Sequence, residues 1–191
     1  PALPETVGAL GDLARCYAEL GDGLGAEAVA GHLAERFCRS AELQEAAGNE
    51  LLRVAEYYGE RKDDAGRARV YEAYLANYRD HSLAPSTLMR FGEQAFRQKD
   101  FGSALGYYRR VAAAYTNSPL YFDALNREAQ IYEEGGDHTN AAAVLAEFVA
   151  QTEARGRPGP ALASARFRLA QGLKNAAAAE LRAAPAGGDP E

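Results

Sequence analysis

Apolar residues in the middle of the chain recur three and four positions apart, the spacing that places side chains on one face of an α-helix. One such stripe runs through Leu88, Phe91, Gly92, Ala95 and Phe96. A polar break covers 97–100, and a second stripe extends over 104–115. The pattern therefore predicts a helix, a tight turn and a second helix that returns antiparallel to the first.

The segment after the second stripe contains residue types that start helices. Ser118 is a common helix cap, and Pro119 fits a first helical turn, where no N–H is needed. We therefore expect the next helix to begin at Ser118–Pro119.

This two-helix pattern is repeated along the sequence at a step of 37 residues. The positions that recur are Leu51, Leu88 and Leu125; Arg53, Arg90 and Arg127; Ala55, Gly92 and Ala129; and Tyr71, Tyr108 and Leu145. A fixed period of this size indicates a stacked repeat architecture. The small residues at Gly92 and Ala129 are expected where two helices approach closely.

More divergent copies flank these repeats at a step of 41 residues. We expect hairpins over 6–41, 42–83, 84–118 and 119–159, then a last helix over 160–183 that caps the stack. Residues 1–5 are predicted as an N-terminal extension and 184–191 as a tail. Residues 6–183 would then form a single domain.

The unit resembles the tetratricopeptide (TPR) repeat. The resemblance depends on Leu88, Phe91 and Gly92 in the first helix, and on Asp100-Phe101-Gly-Ser-Ala104-Leu-Gly-Tyr-Tyr108 in the second. It implies an all-α, right-handed α-solenoid of about four antiparallel helix hairpins plus a C-terminal capping helix. The loop after each hairpin is similar to that of bacterial envelope TPR proteins of the outer-membrane assembly and Tol–Pal-associated type. That similarity implies a place in the cell envelope, or periplasm.

Composition and charge restrict the classes of partner. The chain has 47% hydrophobic and 25% charged residues, as globular proteins do, and its net charge is −6. An acidic protein is poorly suited to general nucleic-acid binding, which requires Lys and Arg along the phosphates. No apolar run approaches the ~20 residues of a membrane helix. Cys16 and Cys38 are predicted to be free thiols, because their places in an antiparallel pair are too far apart for a disulfide.

One position of each first helix carries arginine, at Arg53, Arg90, Arg127 and Arg168. In the TPR fold the first helices line a concave groove, and the resemblance places these side chains in it. A guanidinium donates two parallel hydrogen bonds to one carboxylate, so the row suits an acidic or carboxylate-bearing peptide. Groove neighbours would be Leu52, Met89, Asn126 and Phe167, one residue before each arginine.

A second interpretation of the arginine row remains open. Glu56 and Glu93 lie one turn after Arg53 and Arg90, so internal salt bridges could join neighbouring repeats. Arg127 and Arg168 have Gln130 and Gln171 at that position, which makes them the better candidates for binding an acidic guest.

No catalytic motif or cofactor site is recognisable. His32, His81 and His138 lie in different repeats without metal-ligand spacing, and we interpret them as surface residues. We expect no enzyme activity, no cofactor and no metal. The predicted function is a scaffold that binds a protein or peptide segment in a groove. The alternatives are a structural protein that self-assembles head to tail through its solenoid ends, and an envelope assembly lipoprotein component.

Overall fold

The computed structural model describes residues 4–183, and every regular element in that range is an α-helix. The helices are α1 (Pro4–Glu19), α2 (Gly23–Phe37), α3 (Gln44–Glu60), α4 (Asp64–Asn77), α5 (Ala84–Arg97), α6 (Phe101–Ala114), α7 (Tyr121–Glu134), α8 (His138–Ala154) and α9 (Pro160–Ala183). The predicted all-α class is confirmed. The last helix begins at Pro160 and continues to Ala183, the last described residue, whereas α1 starts inside the segment predicted as an extension. The predicted tail over 184–191 lies outside the described residues.

Four tight turns join the helices of the hairpins, and all four are built in the same way. The second helix begins after an aspartate whose carboxylate accepts a hydrogen bond from a backbone N–H three residues later, at 2.9–3.1 Å. These caps are Asp22, Asp63, Asp100 and Asp137. The residue before each cap has a positive φ, at Gly21, Lys62, Lys99 and Gly136. A left-handed residue followed by a capping side chain ends one helix and starts the next within three residues.

The longer loops between hairpins differ from the prediction. α7 begins at Tyr121 and not at Ser118–Pro119, so that prediction was wrong. The Ser118 N–H donates to the Tyr115 carbonyl at 2.8 Å, and the Ser118 carbonyl accepts from the Tyr121 N–H at 3.2 Å. Ser118 therefore belongs to a turn between α6 and α7.

The chain divides into two compact units, Pro1–Ala84 and Pro85–Glu191. In the first unit, α1 pairs with α2 and α3 pairs with α4, and the two hairpins contact each other through α1 with α3 and α2 with α4. In the second unit, α7 packs against α6 and α8, and α9 packs against α8. Each unit therefore builds its core from successive antiparallel helices.

A buried aromatic cluster forms part of the core of the first unit. Tyr74 and Tyr78 stack with ring centroids 5.8 Å apart, and both rings meet the edge of His81. His81 is buried, so its interpretation as a surface residue was wrong. The ring fits because Gly48 has no side chain, since a Cβ there would lie 2.3 Å from an imidazole carbon. His81, which lies in the loop between α4 and α5, is thus part of the core.

One buried apolar cluster of the second unit lies among α7, α8 and α9. Its buried residues are Tyr121, Leu125, Ala129, Leu145, Phe148 and Ala165. In the hairpin of α5 and α6, Gly92 permits close approach, because a Cβ there would lie 2.4 Å from the Tyr108 ring. Ala129 is fully buried, so both predicted small positions lie in the packed interior.

Candidate functional site

A surface cleft of about 580 Å³ lies on the first helices of the first unit, α1 and α3. Six lining residues of α3 are spaced three, one, three, one and three positions apart, so they form one helical stripe. The lining residues are Arg15, Asn49, Leu52, Arg53, Glu56, Tyr57, Glu60 and Leu83. The cleft thus combines apolar and charged side chains, and it includes two residues predicted from sequence, Leu52 and Arg53.

Arg53 is more exposed than Arg127 and Arg168 of the same arginine row. Its side chain is 70% exposed, and its Nη1 lies 2.8 Å from Oε1 of Glu50, one turn earlier in α3. Glu50 also accepts from Arg15 of α1 at 3.3 Å. Glu56, considered from sequence as the partner of Arg53, accepts from the Tyr71 hydroxyl at 2.5 Å. Glu50 therefore joins the first helices of two successive hairpins.

Tyr57 forms the aromatic part of the cleft. Its hydroxyl accepts from Nη1 of Arg61 at 2.8 Å, and the guanidinium carbon lies 5.1 Å from the ring centroid. Desolvation raises the pKa of Tyr57, while the positive charge of Arg61 acts in the opposite direction. The Tyr57 ring is thus held in place at the edge of the cleft.

The second unit brings several predicted residues together across its first helices. Nε of Arg127 on α7 lies 2.7 Å from Oε1 of Glu93 on α5, and its Nη1 donates to Gln130 at 3.0 Å. Arg127 therefore connects α7 to the preceding first helix.

Arg168 on α9 repeats this arrangement. Its guanidinium binds Glu133 of α7 in a bidentate manner, through Nε at 3.0 Å and Nη2 at 2.7 Å, and Nη1 donates to Oδ1 of Asn126. Its side chain is only 25% exposed. The contacts of Arg127 and Arg168 correspond to the internal salt-bridge interpretation, and an acidic guest would have to compete with Glu93 and Glu133.

The other predicted site residues lie on the same first helices. Met89 is half-buried and Arg90 exposed on α5, and Phe167 is 72% exposed on α9. Gln171 donates to Asn175 at 3.1 Å. Sequence reasoning missed Arg15, Tyr57 and Leu83. Tyr57 could have been found from the α3 stripe that lies opposite the buried residues Leu51 and Ala55.

The described residues contain no group of three or more His, Cys, Asp or Glu side chains placed to hold a metal ion. Within 4–183, no helix has the length and apolar character needed to span a bilayer. Cys16 and Cys38 are both free, as predicted.

Solved structures with TPR-like repeats share the fold. The chain is similar to the nearly identical TPR-like repeats assigned to a kinesin light chain of Podosopora anserina, with TM-score 0.50 and 14% identity over 93% of this chain and 90% of that chain. A single-residue variant of that protein aligns equally well, covering 93% and 89%. The fold is TPR-like. The MamA protein aligns with TM-score 0.42 and 14% identity over 98% and 100% of the chains, too low a score to support an argument.

No protein-family model matches the sequence, and no curated protein does. At 14% identity the structural similarity concerns the fold alone.

Proposed function

We propose that this protein is a non-enzymatic scaffold that binds a protein or peptide segment along the first helices of its hairpins. The observation that carries the proposal is the cleft on α1 and α3, where Leu52, Tyr57 and Leu83 lie beside the exposed guanidinium of Arg53. The TPR-like fold supports it, because stacked hairpins present side chains from successive helices on one surface.

The chemistry of the cleft favours a particular guest. An apolar side chain of a short extended segment would contact Leu52 and Tyr57, and a neighbouring carboxylate would bind Arg53. Arg53 has more free surface than Arg127 or Arg168, which are 37% and 25% exposed. We therefore place the acidic contact first at Arg53.

Preorganisation is the expected mechanism of binding. Glu50 contacts Arg15 and Arg53, and Arg61 holds Tyr57, so these side chains already have defined positions before a guest arrives. A guest that binds preorganised side chains avoids part of the cost of ordering them, about 0.5–1.5 kcal/mol for each side chain.

The test begins with selection of peptides from a random displayed library on the intact chain. Binding of the selected peptides is then measured by fluorescence anisotropy for wild type, Leu52→Glu, Arg53→Ala and the control Arg36→Ala. Arg36 is exposed on α2, outside the cleft. We expect Kd to rise about tenfold or more for Leu52→Glu and roughly three- to tenfold for Arg53→Ala, which correspond to losses of about 0.7–1.4 kcal/mol or more.

Equal affinity of all four proteins for the selected peptides would contradict the proposal, as would a selection that enriches no peptide. Circular dichroism of each variant shows whether a loss of binding reflects the cleft or the fold. The envelope location implied by the loop style remains a prediction, which fractionation of the native cells would test.

A further inference from the structure

His81 lies buried against α3 and α4 of the first unit, and its hydrogen bonds require the neutral form of the ring. The Leu83 N–H donates to Nδ1 at 3.2 Å, and Nε2 lies 3.1 Å from the Glu45 carbonyl. A backbone N–H can only donate and a carbonyl can only accept, so Nδ1 carries no proton and Nε2 carries one. These contacts therefore fix one neutral tautomer of the imidazole.

The titratable groups that face the ring come from both helices. On α4, the Tyr74 hydroxyl lies 2.8 Å from Nδ1, and the Tyr78 ring meets the imidazole edge-on. On α3, one carboxylate oxygen of Glu45 lies 3.6 Å from Nε2, and the other accepts from the Ser82 hydroxyl. A positive charge on the ring would therefore be attracted by one neighbouring carboxylate.

Leu83 connects this ring to the cleft on α1 and α3. Its side chain is 43% exposed and lines the cleft together with Leu52 and Tyr57. Its backbone lies between the bond to His81 and the next residue, Ala84, whose N–H donates to the His81 carbonyl at 3.0 Å. A change at Nδ1 of His81 thus acts only two residues away from an apolar wall of the cleft.

Protonation of the ring would place a second N–H at Nδ1. The Tyr74 hydroxyl can rotate to accept from it, because a hydroxyl both donates and accepts. The Leu83 N–H cannot accept, so two donors would face each other and the 3.2 Å contact would be lost. The Glu45 carboxylate attracts the imidazolium from the Nε2 side. The charged ring would therefore keep its contacts with α3 and α4 and release Leu83.

We propose that His81 is a pH-sensitive switch of the cleft, which holds Leu83 in the cleft wall when neutral and releases it when protonated. The inference rests on the proposed function, since its consequence is weaker binding of the peptide segment in acid. Histidine ordinarily titrates near pH 6.5, so the change falls between about pH 7.5 and 5.5. Coupling between two sites of a protein typically changes affinity about fivefold or more.

Fluorescence anisotropy with histidine-free, library-selected peptides measures Kd at pH 7.5 and at pH 5.5, where side-chain carboxylates stay largely ionised. We expect Kd of wild type to rise about fivefold at the lower pH. His81→Asn should remove this rise, because the asparagine oxygen can accept from the Leu83 N–H and does not titrate. His32→Gln, the matched control, should keep it, since His32 is exposed on α2 and does not line the cleft.

Glu45→Gln tests the same switch without changing the buried ring. Glutamine keeps an oxygen that can accept from the Ser82 hydroxyl, but it has no charge to attract the imidazolium. We expect the rise in Kd to move to lower pH in this variant. Circular dichroism at both pH values shows whether each variant keeps its helicity.

NMR spectra of the labelled intact chain without peptide separate the switch from peptide binding. The Leu83 amide shift should change together with the protonation of the His81 ring. A ring that stays neutral at pH 5.5, or a Leu83 amide that does not respond to its protonation, would overturn the switch. So would peptide binding at pH 7.5 that is equally tight at pH 5.5. A Leu83 amide that follows the ring in a chain that binds no peptide would support the switch and contradict the proposed function alone.

Discussion

At the residue scale, the absence of a side chain decides two of the closest contacts. An added Cβ would lie 2.3 Å from the His81 ring at Gly48 and 2.4 Å from the Tyr108 ring at Gly92, which is too close for van der Waals contact. His81 is held by the Tyr74 hydroxyl at Nδ1, 2.8 Å away, and by the Glu45 carbonyl at Nε2, 3.1 Å away. The imidazole has little freedom to move away from an added methyl group.

We expect Gly48→Ala to destabilise the protein by about 1–3 kcal/mol, as overpacking of a filled core does. Gly31→Ala is the matched control, because a Cβ at Gly31 of α2 meets nothing within 4 Å. Alanine in an open helical position should stabilise by about 0.4–1 kcal/mol. Urea unfolding measures both, and equal effects of the two substitutions would contradict the packing described for His81.

Two buried tyrosines differ in whether their hydroxyl has a partner. The Tyr78 hydroxyl donates to the Leu33 carbonyl at 2.8 Å, whereas Tyr58 has no hydrogen-bond partner among the described residues. Tyr78→Phe should therefore cost about 1 kcal/mol of stability, and Tyr58→Phe should be neutral or stabilising. Chemical denaturation of both variants checks this difference. A larger loss for Tyr58→Phe would show that its hydroxyl is bonded.

At the scale of elements, the aspartate caps define the start of every second helix of a hairpin. Asp63 accepts from the Gly66 N–H at 2.9 Å, while the adjacent Asp64 pairs with Arg67 at 2.8 Å on the exposed surface. Asp63→Ala should cost about 1 kcal/mol, as loss of a helix cap does. Asp64→Ala, the matched control, should cost less than half of that. Thermal melts that rank the two variants in reverse would refute the capping role.

The helices could be predicted from sequence because their apolar spacing is a local property. The turns were harder to place, since Lys62 and Lys99 adopt the left-handed conformation that sequence rules assign to glycine. The start of α7 was misplaced because Ser118 makes turn contacts and does not cap a helix. Local composition does not distinguish these two uses of serine.

The candidate site was predictable in part for the same reason. The arginines recur at a regular spacing in the sequence, and this spacing alone was sufficient to predict that they lie on the first helices. Their partners were not predictable, because Glu50 bridges α1 to α3 and Glu133 bridges α7 to α9. Such contacts depend on how neighbouring helices align, which a period within one helix does not specify. The burial of His81 was not predicted either, because it also depends on how neighbouring elements pack against each other.

At the scale of the whole molecule, buried tyrosines connect stability to alkaline pH. Burial raises the pKa of Tyr78 and Tyr108, and it raises the pKa of Tyr121 to about 12. The unfolded chain loses these protons near pH 10, before the folded protein does. Their contribution to stability is therefore complete below pH ~10 and declines as the pH rises through the folded pKa values.

We expect the free energy of unfolding to fall between about pH 10 and 12, from the unfolded to the folded pKa of Tyr121, and Tyr121→Phe to reduce the slope. Urea titrations at several pH values provide the comparison. An unchanged slope in the variant would mean that Tyr121 titrates alike in both states.

The TPR-like fold and the cleft on α1 and α3 together support our proposal that these first helices bind a peptide segment. The most direct measurement is a titration of the ¹⁵N-labelled intact chain with a library-selected peptide, followed by amide chemical shifts. We expect the largest changes to cluster at Asn49, Leu52, Arg53 and Tyr57. Changes confined to α2 and α4, with those four amides unaffected, would contradict it.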